Sequence, residues 1–291
     1  MSSSIDYFSA AIFIMFKQHL RHRWLYPILS LTLVFTIAFG QPLVAQAISW
    51  ADLLRGGLQV IQGIQLTRLS DSQEVDLGRQ MNAQLSSQGI RLLRDPSLNQ
   101  YVNTIGQRLV RNSDRPNLPF TFQVVDNKSI NAFATTGGYV YVHRGLMEAA
   151  DNEAQLASVI GHEIGHITGG HLLAQMRKSA VQRGLLTAGG LNRSTAVNLG
   201  LQLAVNLPNN RNDEYDADRR GLTMISRAGY AQSEVVAFMQ KLLSSRSSPA
   251  FLSNHPATSD RIVRLRQMIA STPARGSDGV NPTAYRSAIS R

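Results

Sequence analysis

The sequence predicts an α+β protein that is mainly helical and carries one small β-sheet. Two segments near the middle, PFTFQVVD (119–126) and GGYVYVHR (137–144), are rich in β-branched and aromatic residues and are separated by turn-forming residues. Much of the remaining chain places apolar residues at three- and four-residue spacings, which is the helical period. A chain of 291 residues with 43% hydrophobic content can bury a sizeable core around such a sheet.

The elements are predicted in the following order. Two helices come first, at 72–87, ending near Gly89, and at 97–110, and the strands follow at 119–126 and 137–143, with NAFA (131–134) as a short strand or bend between them. Further helices are predicted from Glu153 through the stretch VIGHEIGHITGGH (159–171), around NDEYDADRRGLTMISRAGY (212–230), at 233–243 and at 259–270.

Two segments depart from this regular pattern. Residues 178–207 are apolar but are interrupted by glycines and by Arg183 and Arg193, so we predict a mobile helical hairpin near the site rather than a membrane-spanning helix. Residues 272–291 are rich in Pro, Gly, Ser and Arg and predict a disordered tail.

The first 47 residues have the pattern of a secretory signal peptide. Basic residues at 17–23 precede the apolar run 25–39, and Ala45 and Ala47 occupy the −3 and −1 positions of a cleavage site. The run of about 15 residues is shorter than the roughly 20 that a spanning helix needs. We predict a signal peptide over 1–47, with an uncleaved N-terminal anchor as the alternative. Residues 48–70 follow as an amphipathic helix that covers a core or lies in a membrane interface.

Composition limits the kinds of site and partner. The chain has no cysteine, which excludes disulfides and thiolate metal ligands. Its net charge of +10 can be ordinary solubilising charge or can attract an anionic membrane surface. Because the basic residues are scattered and no nucleic-acid module is recognisable, nucleic acid is not an expected partner. We predict a periplasmic or otherwise exported protein, with a membrane surface as a further partner.

The stretch VIGHEIGHITGGH contains the clearest functional motif of the chain. On a helix, His162 and His166 project from one face about 6 Å apart along the axis, and Glu163 lies beside them. This is the zinc-peptidase arrangement H-E-x-x-H, which supplies two ligands and a general base. About 0.003 matches are expected by chance in a chain of this composition, so two solvated surface histidines are the less favoured interpretation.

A third ligand has to come from elsewhere in the chain. His171 falls one residue before the position that the extended three-histidine motif requires, which is Leu172, and it points away from His166 if the helix continues. We therefore interpret His171 as a structural or surface residue. Glu214 and Asp218 are four residues apart, so one of these carboxylates can bind zinc while the other hydrogen-bonds the outer nitrogen of a ligand histidine.

Three motifs in this order, GHEIGH, then EYDAD (214–218), then HPATSDR (255–261), resemble the zinc metallopeptidase family that includes the heat-shock peptidase HtpX and the CAAX prenyl endopeptidases. NAFATTGGYVYVHRGLM and LGRQMNAQL are similar to its soluble periplasmic branch, although this sequence shows no helical-repeat segment of the kind found in part of that branch. The resemblance runs from about residue 71 to 270. It implies a zincin-type metallopeptidase domain of the gluzincin type over 71–271, with the edge strand of the sheet bordering the active-site cleft.

The resemblance also assigns roles to individual residues. It implies one Zn²⁺ per chain on His162, His166 and Glu214, with Glu163 as general base and Asp218 behind the ligands. It further implies that His255 faces the zinc, where it would stabilise the transition-state oxyanion or occupy the open coordination position in a resting state. The alternative is that His255 is a helix-entry histidine without a catalytic part.

The strand 137–143 is the predicted substrate-binding element. An edge strand can pair with the main chain of an extended peptide, and the two glycines before it permit a tight turn. The residues expected to bind substrate in this way are Gly138, Tyr139, Val140, Tyr141 and Val142. The alternative is an ordinary hairpin strand.

These expectations combine into one predicted function and one rival. The first is a zinc metalloendopeptidase that hydrolyses misfolded or exposed, extended segments of exported proteins in protein quality control. The rival is a chaperone-like peptide-binding module in which His255 keeps the zinc site closed and inactive. Retention of Glu163 favours the enzyme.

Overall fold

Helices dominate the part of the chain that the structure describes, and a small mixed sheet lies among them, which confirms the predicted α+β class. The structure is a computed structural model and describes residues 64–66, 69–186, 190–206, 208–245, 249–256, 258–271, 273 and 275–290. The predicted signal peptide (1–47) and residues 48–63 of the predicted amphipathic helix lie outside these described residues. None of the described helices is both long enough and apolar enough to cross a membrane.

The helices and strands have the following bounds. The first half contains α1 (Asp71–Ala83), a 3-10 helix (Leu85–Gln88), α2 (Pro96–Val110), β1 (Thr121–Val125), β2 (Ala132–Ala134), β3 (Tyr139–His143), α3 (Arg144–Ala149) and α4 (Glu153–Thr168). The second half contains α5 (His171–Gln182), α6 (Arg193–Asn206), α7 (Arg211–Arg227), α8 (Ser233–Ser244), α9 (Ala250–Asn254), α10 (Thr258–Ser271) and α11 (Pro282–Ile289). The helices predicted within residues 72–270 are all found, with boundaries shifted by a few residues.

The strand order β1-β3-β2 corrects the predicted position of the substrate strand. Strand β3 pairs in parallel with β1 and antiparallel with β2, so its backbone groups are used on both sides and it cannot accept a peptide. Gly138 is the turn residue before it, with φ +96°. Both β1 and β2 are edge strands, but the Leu93 amide donates to the Val124 carbonyl on the outer side of β1. Among the described residues, the edge without such a backbone partner is therefore β2, the short NAFA segment.

The two faces of the sheet contact two different groups of helices. Val140 and Val142 are fully buried in the main core, together with side chains of α2, α4 and α7. Tyr141 points to the opposite face and is buried against α1 and the hairpin formed by α5 and α6. Because side chains alternate along the strand, β3 lies between two apolar layers and packs against both.

Close contact between α4 and α7 depends on glycine. A Cβ added at Gly165 would lie 2.6 Å from the carbonyl oxygen of Ala217, and one added at Gly221 would lie 3.1 Å from the backbone nitrogen of His162. Without these side chains the two helix backbones approach closely along the face that carries the histidine motif. The acidic face of α7 is thereby held beside the histidines of α4.

The carboxyl end of the chain is ordered, contrary to the predicted disordered tail. Residues 282–289 form α11, and Tyr285 is only 1% exposed, with its hydroxyl donating a hydrogen bond to the carbonyl of Met147 at 2.6 Å. Asn281 caps this helix by accepting a hydrogen bond from the Ala284 amide. The composition suggested disorder, but one buried aromatic residue and a capped helix are enough to dock the segment.

The described end of the predicted N-terminal helix is extended. Ile64 forms an antiparallel bridge with Leu191, and both side chains are buried in the layer beside α1. The prediction that Ile64 belongs to the helical pattern is therefore wrong, because its backbone pairs with the segment that leads into α6.

Candidate metal centre

The histidine motif lies on a helix that is buried on every side. Helix α4 is capped by Asn152, whose side chain accepts a hydrogen bond from the Gln155 amide at 3.0 Å. His162 and His166 are 5% and 7% exposed, and their Nε2 atoms lie 3.0 Å apart. The spacing of one helical turn thus directs both imidazoles to a single point, as the sequence predicts.

Glu214 and His255 complete a group of four donors around this point. Glu214 Oε1 lies 3.2 Å from His166 Nε2, and its Oε2 lies 3.4 Å from His162 Nε2. His255 Nδ1 lies 3.1 Å from both Glu214 Oε1 and His162 Nε2. One donor atom from each residue lies within 4.8 Å of every other, and all four side chains are buried.

The charge of the site fits a divalent cation. Besides the imidazoles, which have to be neutral to bind a metal, it encloses three carboxylates, Glu163, Glu214 and Asp218, and one guanidinium, Arg261, each no more than 8% exposed. Fully ionised, these groups carry two more negative than positive charges, and burial makes such an excess costly unless a cation balances it. Nitrogen and carboxylate donors without thiolates are the set found in catalytic zinc sites.

Behind the ligands, Asp218 and Arg261 hold the outer side of His162. Asp218 Oδ1 lies 2.9 Å from His162 Nδ1, and Arg261 donates to both oxygens of Asp218 at 2.7 Å. Arg261 also lies 2.5 Å from Glu214 Oε2 and donates to the carbonyl of His255 at 3.2 Å. The HPATSDR motif predicts no role for Arg261, because nothing in the sequence around this arginine signals that it is buried.

Glu163 is placed where a proton carrier is needed. It is 1% exposed, its Oε1 lies 3.4 Å from His255 Nε2, and that oxygen has no hydrogen-bond partner among the described residues. Together with His166, His255 and Asn209, it lines a small cavity at the surface of the site. The carboxylate is therefore free to bond a water molecule in that cavity.

The ionisation of these groups follows from burial and from their neighbours. Burial raises the pKa of Glu163, which His255 and His162 only partly oppose. Burial acts in the same direction on Glu214, but His255 and His162 outweigh it and hold the pKa of that carboxyl well below its usual range. Burial lowers the pKa of His166 to about 3. The raised pKa of Glu163 suits a general base. The ionised Glu214 and the neutral His166 are in the forms that metal ligands require.

His162 differs from His166 in its proton affinity. Burial and Arg261 favour its neutral form, but Glu214 and Asp218 outweigh them and raise the pKa of His162 to about 9. His162 would have to give up that proton to hold a metal ion at Nε2, so metal binding at this centre would release protons.

His171 is buried beside the site and stays outside the group of four donors, so it is a structural residue as one half of its interpretation has it, and the surface alternative is wrong. Helix α4 ends at Thr168, Gly170 has φ +66°, and α5 begins at His171, so the helix does not continue in the way that the angular argument assumed. The change of direction brings His171 Nδ1 to 2.9 Å from His166 Nδ1. Asn209 was also missed, and its Nδ2 lies 3.4 Å from both His166 Nε2 and His255 Nδ1.

The predicted substrate residues of β3 do not border the cavity. Val140, Tyr141 and Val142 are fully buried within the sheet and its two layers. Phe133 and Ala134 of β2 line the cavity together with Glu163 and His255. The edge strand that borders the site is thus β2, and β3 lies next to it in the sheet, away from the cavity.

Comparison with known proteins agrees with this geometry. The model of peptidase family M48 matches residues 96–269, a range that includes every side chain of the metal centre. The chain belongs to peptidase family M48. The predicted resemblance to a family of metallopeptidases is therefore confirmed.

The relatives include a protein named as a protease, one named as a metalloprotease and one named as a metalloendopeptidase. The beta-barrel assembly-enhancing protease of Escherichia coli (strain K12) is 34% identical over 215 residues, covering 68% of this chain and 44% of that protein. Metalloprotease LoiP of the same organism is 28% identical over 230 residues, covering 75% of this chain and 88% of the relative. Mitochondrial metalloendopeptidase OMA1 of Arabidopsis thaliana is 31% identical over 149 residues. The chain spans less than half the length of the first of these relatives.

Proposed function

We propose that this chain is a zinc-dependent metalloendopeptidase that cuts extended segments of unfolded or exposed polypeptides. The observation that carries the proposal is the convergence of His162, His166 and Glu214 beside a buried Glu163 whose Oε1 has no hydrogen-bond partner among the described residues. Zinc bound to the three ligands would lower the pKa of a coordinated water toward about 7 and polarise the scissile carbonyl. The family and the donor set both support this metal.

In this proposal Glu163 moves the protons of the reaction. Its Oε1 accepts a proton from the attacking water, and its raised pKa lets it keep that proton until the leaving amine takes it. Asp218 and Arg261 fix the ring of His162 and the carboxylate of Glu214, so the ligand geometry is set before substrate arrives.

The position of His255 is that expected for an inactive, resting form of the enzyme. Its Nδ1 lies among the other donor atoms, at 3.1 Å from Glu214 Oε1, where it would fill the coordination position that substrate and water need. Displacement of His255 would open that position to substrate and water. We therefore propose a latent enzyme rather than a permanently closed site.

Strand β2 is the proposed substrate platform, in place of β3. Asn131 and Thr135 use their backbone groups to bond β3, so alternation along the strand turns the backbone groups of Ala132 and Ala134 outward. Ala132 is fully buried, so an extended peptide could pair with the outward groups of the half-buried Ala134 and cross the cavity beside Glu163. Pairing through the backbone discriminates little between substrate sequences. This property fits unfolded segments of exported or envelope proteins as substrates, and quality control as the role.

Digestion of unfolded casein by the zinc-loaded protein tests the enzymatic proposal. We expect cleavage by the wild-type protein, a loss of at least a hundredfold for Glu163→Gln at unchanged zinc content, and faster cleavage for His255→Ala. Equal cleavage by wild type and Glu163→Gln would contradict the role of Glu163. No cleavage by wild type or His255→Ala would favour the chaperone-like module.

Zinc analysis tests the ligand set independently of activity. Glu214→Gln should lose most of its zinc, because one of three ligands is removed. Asp213→Asn, an exchange on the same turn of α7 at a residue outside the donor group, should retain a full equivalent. Unchanged zinc in Glu214→Gln would show that another carboxylate is the ligand.

A further inference from the structure

The Nδ1 atoms of the two ligand histidines, which face away from the proposed metal position, have different hydrogen-bond partners. His162 Nδ1 contacts a carboxylate directly, that of Asp218, at 2.9 Å. His166 Nδ1 contacts another imidazole, His171 Nδ1, at 2.9 Å, and His171 Nε2 in turn lies 3.2 Å from Asp216 Oδ2. The second arrangement is an imidazole relay between a metal ligand and an acid.

We propose that His171 and Asp216 are positioning residues that fix the tautomer of His166 and thereby set the metal affinity of the site. The inference rests on the proposed metal centre. It concerns how His166 is held and not which bond is cut.

Proton counting gives the relay a single direction. Both oxygens of Asp216 accept hydrogen bonds from arginines, so the nitrogen of His171 that faces Asp216, Nε2, is the donor and carries a hydrogen. Neutral His171 then has a bare Nδ1, which accepts the hydrogen of His166 Nδ1. His166 is left with a lone pair on Nε2, the atom that faces Glu214 and His162. The acid at one end thus determines which nitrogen of the ligand faces the metal.

The surroundings of Asp216 keep it in the accepting form. Arg220 donates to its Oδ2 and Arg219 to its Oδ1, both at 2.6 Å. Arg220 is itself paired with Asp114, so the cation is held in place from its other side. A protonated Asp216 could donate to His171 Nε2 and reverse the relay, and the two arginines oppose that state.

Two glycines make the relay sterically possible. Gly170, in the left-handed conformation, breaks the helix so that His171 turns back toward His166. A Cβ at Gly169 would lie 2.4 Å from His171 Nε2 and 3.0 Å from Asp216 Oδ2, in the space that their contact needs. His171 itself is 6% exposed, so water does not compete freely for its nitrogens.

Zinc affinity of folded variants tests the proposal by competition with a chromogenic chelator. We expect His171→Leu to bind zinc about 10- to 100-fold more weakly than wild type. His171→Asn, whose side-chain oxygen can accept from His166 Nδ1, should recover part of that loss. His143→Leu is the matched control, because His143 is equally buried but bonds Ser129 and no metal ligand, and it should bind zinc as wild type does.

Nitrogen NMR of the zinc-loaded wild-type protein with ¹⁵N-labelled histidine provides a second measurement that needs no variant. We expect the Nε2 of His171 to be protonated and its Nδ1 to be bare, with a hydrogen-bond coupling to the Nδ1 proton of His166. A protonated His171 Nδ1 would overturn the proposal, even if His171→Leu fails to fold.

The remaining outcomes separate this inference from the proposed function. Equal zinc affinity of wild type and folded His171→Leu, or an equal loss in His143→Leu, would contradict the relay alone. A wild-type protein that binds no zinc would contradict the zinc site and the relay together.

Discussion

Arg261 shows how a single buried cation organises a site made of acids and imidazoles. It is 1% exposed and contacts Asp218 through two hydrogen bonds, Glu214 through an ion pair and the backbone of His255. Burial alone would lower its pKa, but Asp218 and Glu214 outweigh burial and raise it. An arginine is well suited to this position because its planar guanidinium can donate hydrogen bonds to several partners at once.

Replacement of Arg261 should therefore destabilise the protein. Arg261→Met leaves two buried carboxylates without their cation, and we expect the free energy of unfolding of the metal-free protein to fall by about 3–5 kcal/mol. Arg266→Met on the same helix, where the side chain is exposed, should change it by less than about 0.5 kcal/mol. Urea unfolding measures both, and similar values for the two variants would show that Arg261 is not the organising cation.

His143 offers a residue-scale test of stability against pH. Burial lowers the pKa of His143 to about 4, below its unfolded value of about 6.5. The unfolded chain therefore binds more protons than the folded one in this window, and stability is lost as the pH falls from about 6.5 to about 4. His143→Leu cannot take up this proton, so over the same range its free energy of unfolding should fall by up to about 3 kcal/mol less than that of the wild type. Parallel pH profiles for wild type and variant would contradict the expectation.

At the scale of elements, the distance between α4 and α7 decides whether ligands from two helices can meet. Gly161 and Gly165 are one turn apart on α4, but the space beside them differs. A Cβ at Gly161 would have ordinary contacts, the nearest at 3.5 Å, whereas one at Gly165 would lie 2.6 Å from the Ala217 carbonyl oxygen. The tight position is one residue before His166.

This contrast predicts opposite effects of the same substitution. Gly165→Ala should push α4 away from α7, lower the free energy of unfolding by about 1–3 kcal/mol and weaken zinc binding. Gly161→Ala should leave zinc affinity unchanged and stabilise the helix by up to about 1 kcal/mol. Chemical unfolding and chelator competition give both values, and indistinguishable variants would mean that helix spacing does not control the site.

Strand β2 is the element whose proposed role is most easily tested. Ala134→Pro removes an outward backbone N–H without removing a hydrogen bond to β3, since the neighbours of Ala134 make those bonds. We expect KM for an extended peptide to rise by about tenfold, with zinc content and Tm close to wild type. An unchanged KM in a folded variant would remove β2 from the substrate platform.

At the scale of the whole molecule, the carboxyl-terminal segment closes the core around the motif helix. Gly279 accepts a hydrogen bond from Ala154 in the first turn of α4 at 3.0 Å, and Arg286 donates to the carbonyl of Glu148 at 2.9 Å. Tyr285 fills a position in the main core beside Tyr101. The segment thus packs against the same core as the motif helix, although its composition resembles that of a disordered tail.

Shortening the buried side chain of this segment should cost stability. Tyr285→Ala removes an aromatic ring from the core, and we expect a loss of about 3–5 kcal/mol in the free energy of unfolding. Tyr285→Phe loses only the hydrogen bond to Met147 and should cost about 1 kcal/mol. Guanidinium unfolding distinguishes the two, and a tail that merely rests on the surface would give small values for both.

Local sequence patterns determined the elements and the identity of the metal motif. Periodicity located helices such as α2 and α4, because a buried helix face repeats within a short window. The spacing of His162 and His166 fixed their common direction for the same reason, and the four-residue spacing of Glu214 and Asp218 made both carboxylates candidates without deciding which one binds a metal. These inferences need only the geometry of one helix at a time.

Tertiary structure decided everything that joins distant segments. Strand order placed β3 in the centre and β2 at the edge, which no pattern within either strand records. A left-handed Gly170 turned His171 into the site, and the burial of Arg261 and Tyr285 depends on the helices that surround them. The physical reason is that pairing and burial are properties of two surfaces in contact, and a sequence displays only one of them at a time.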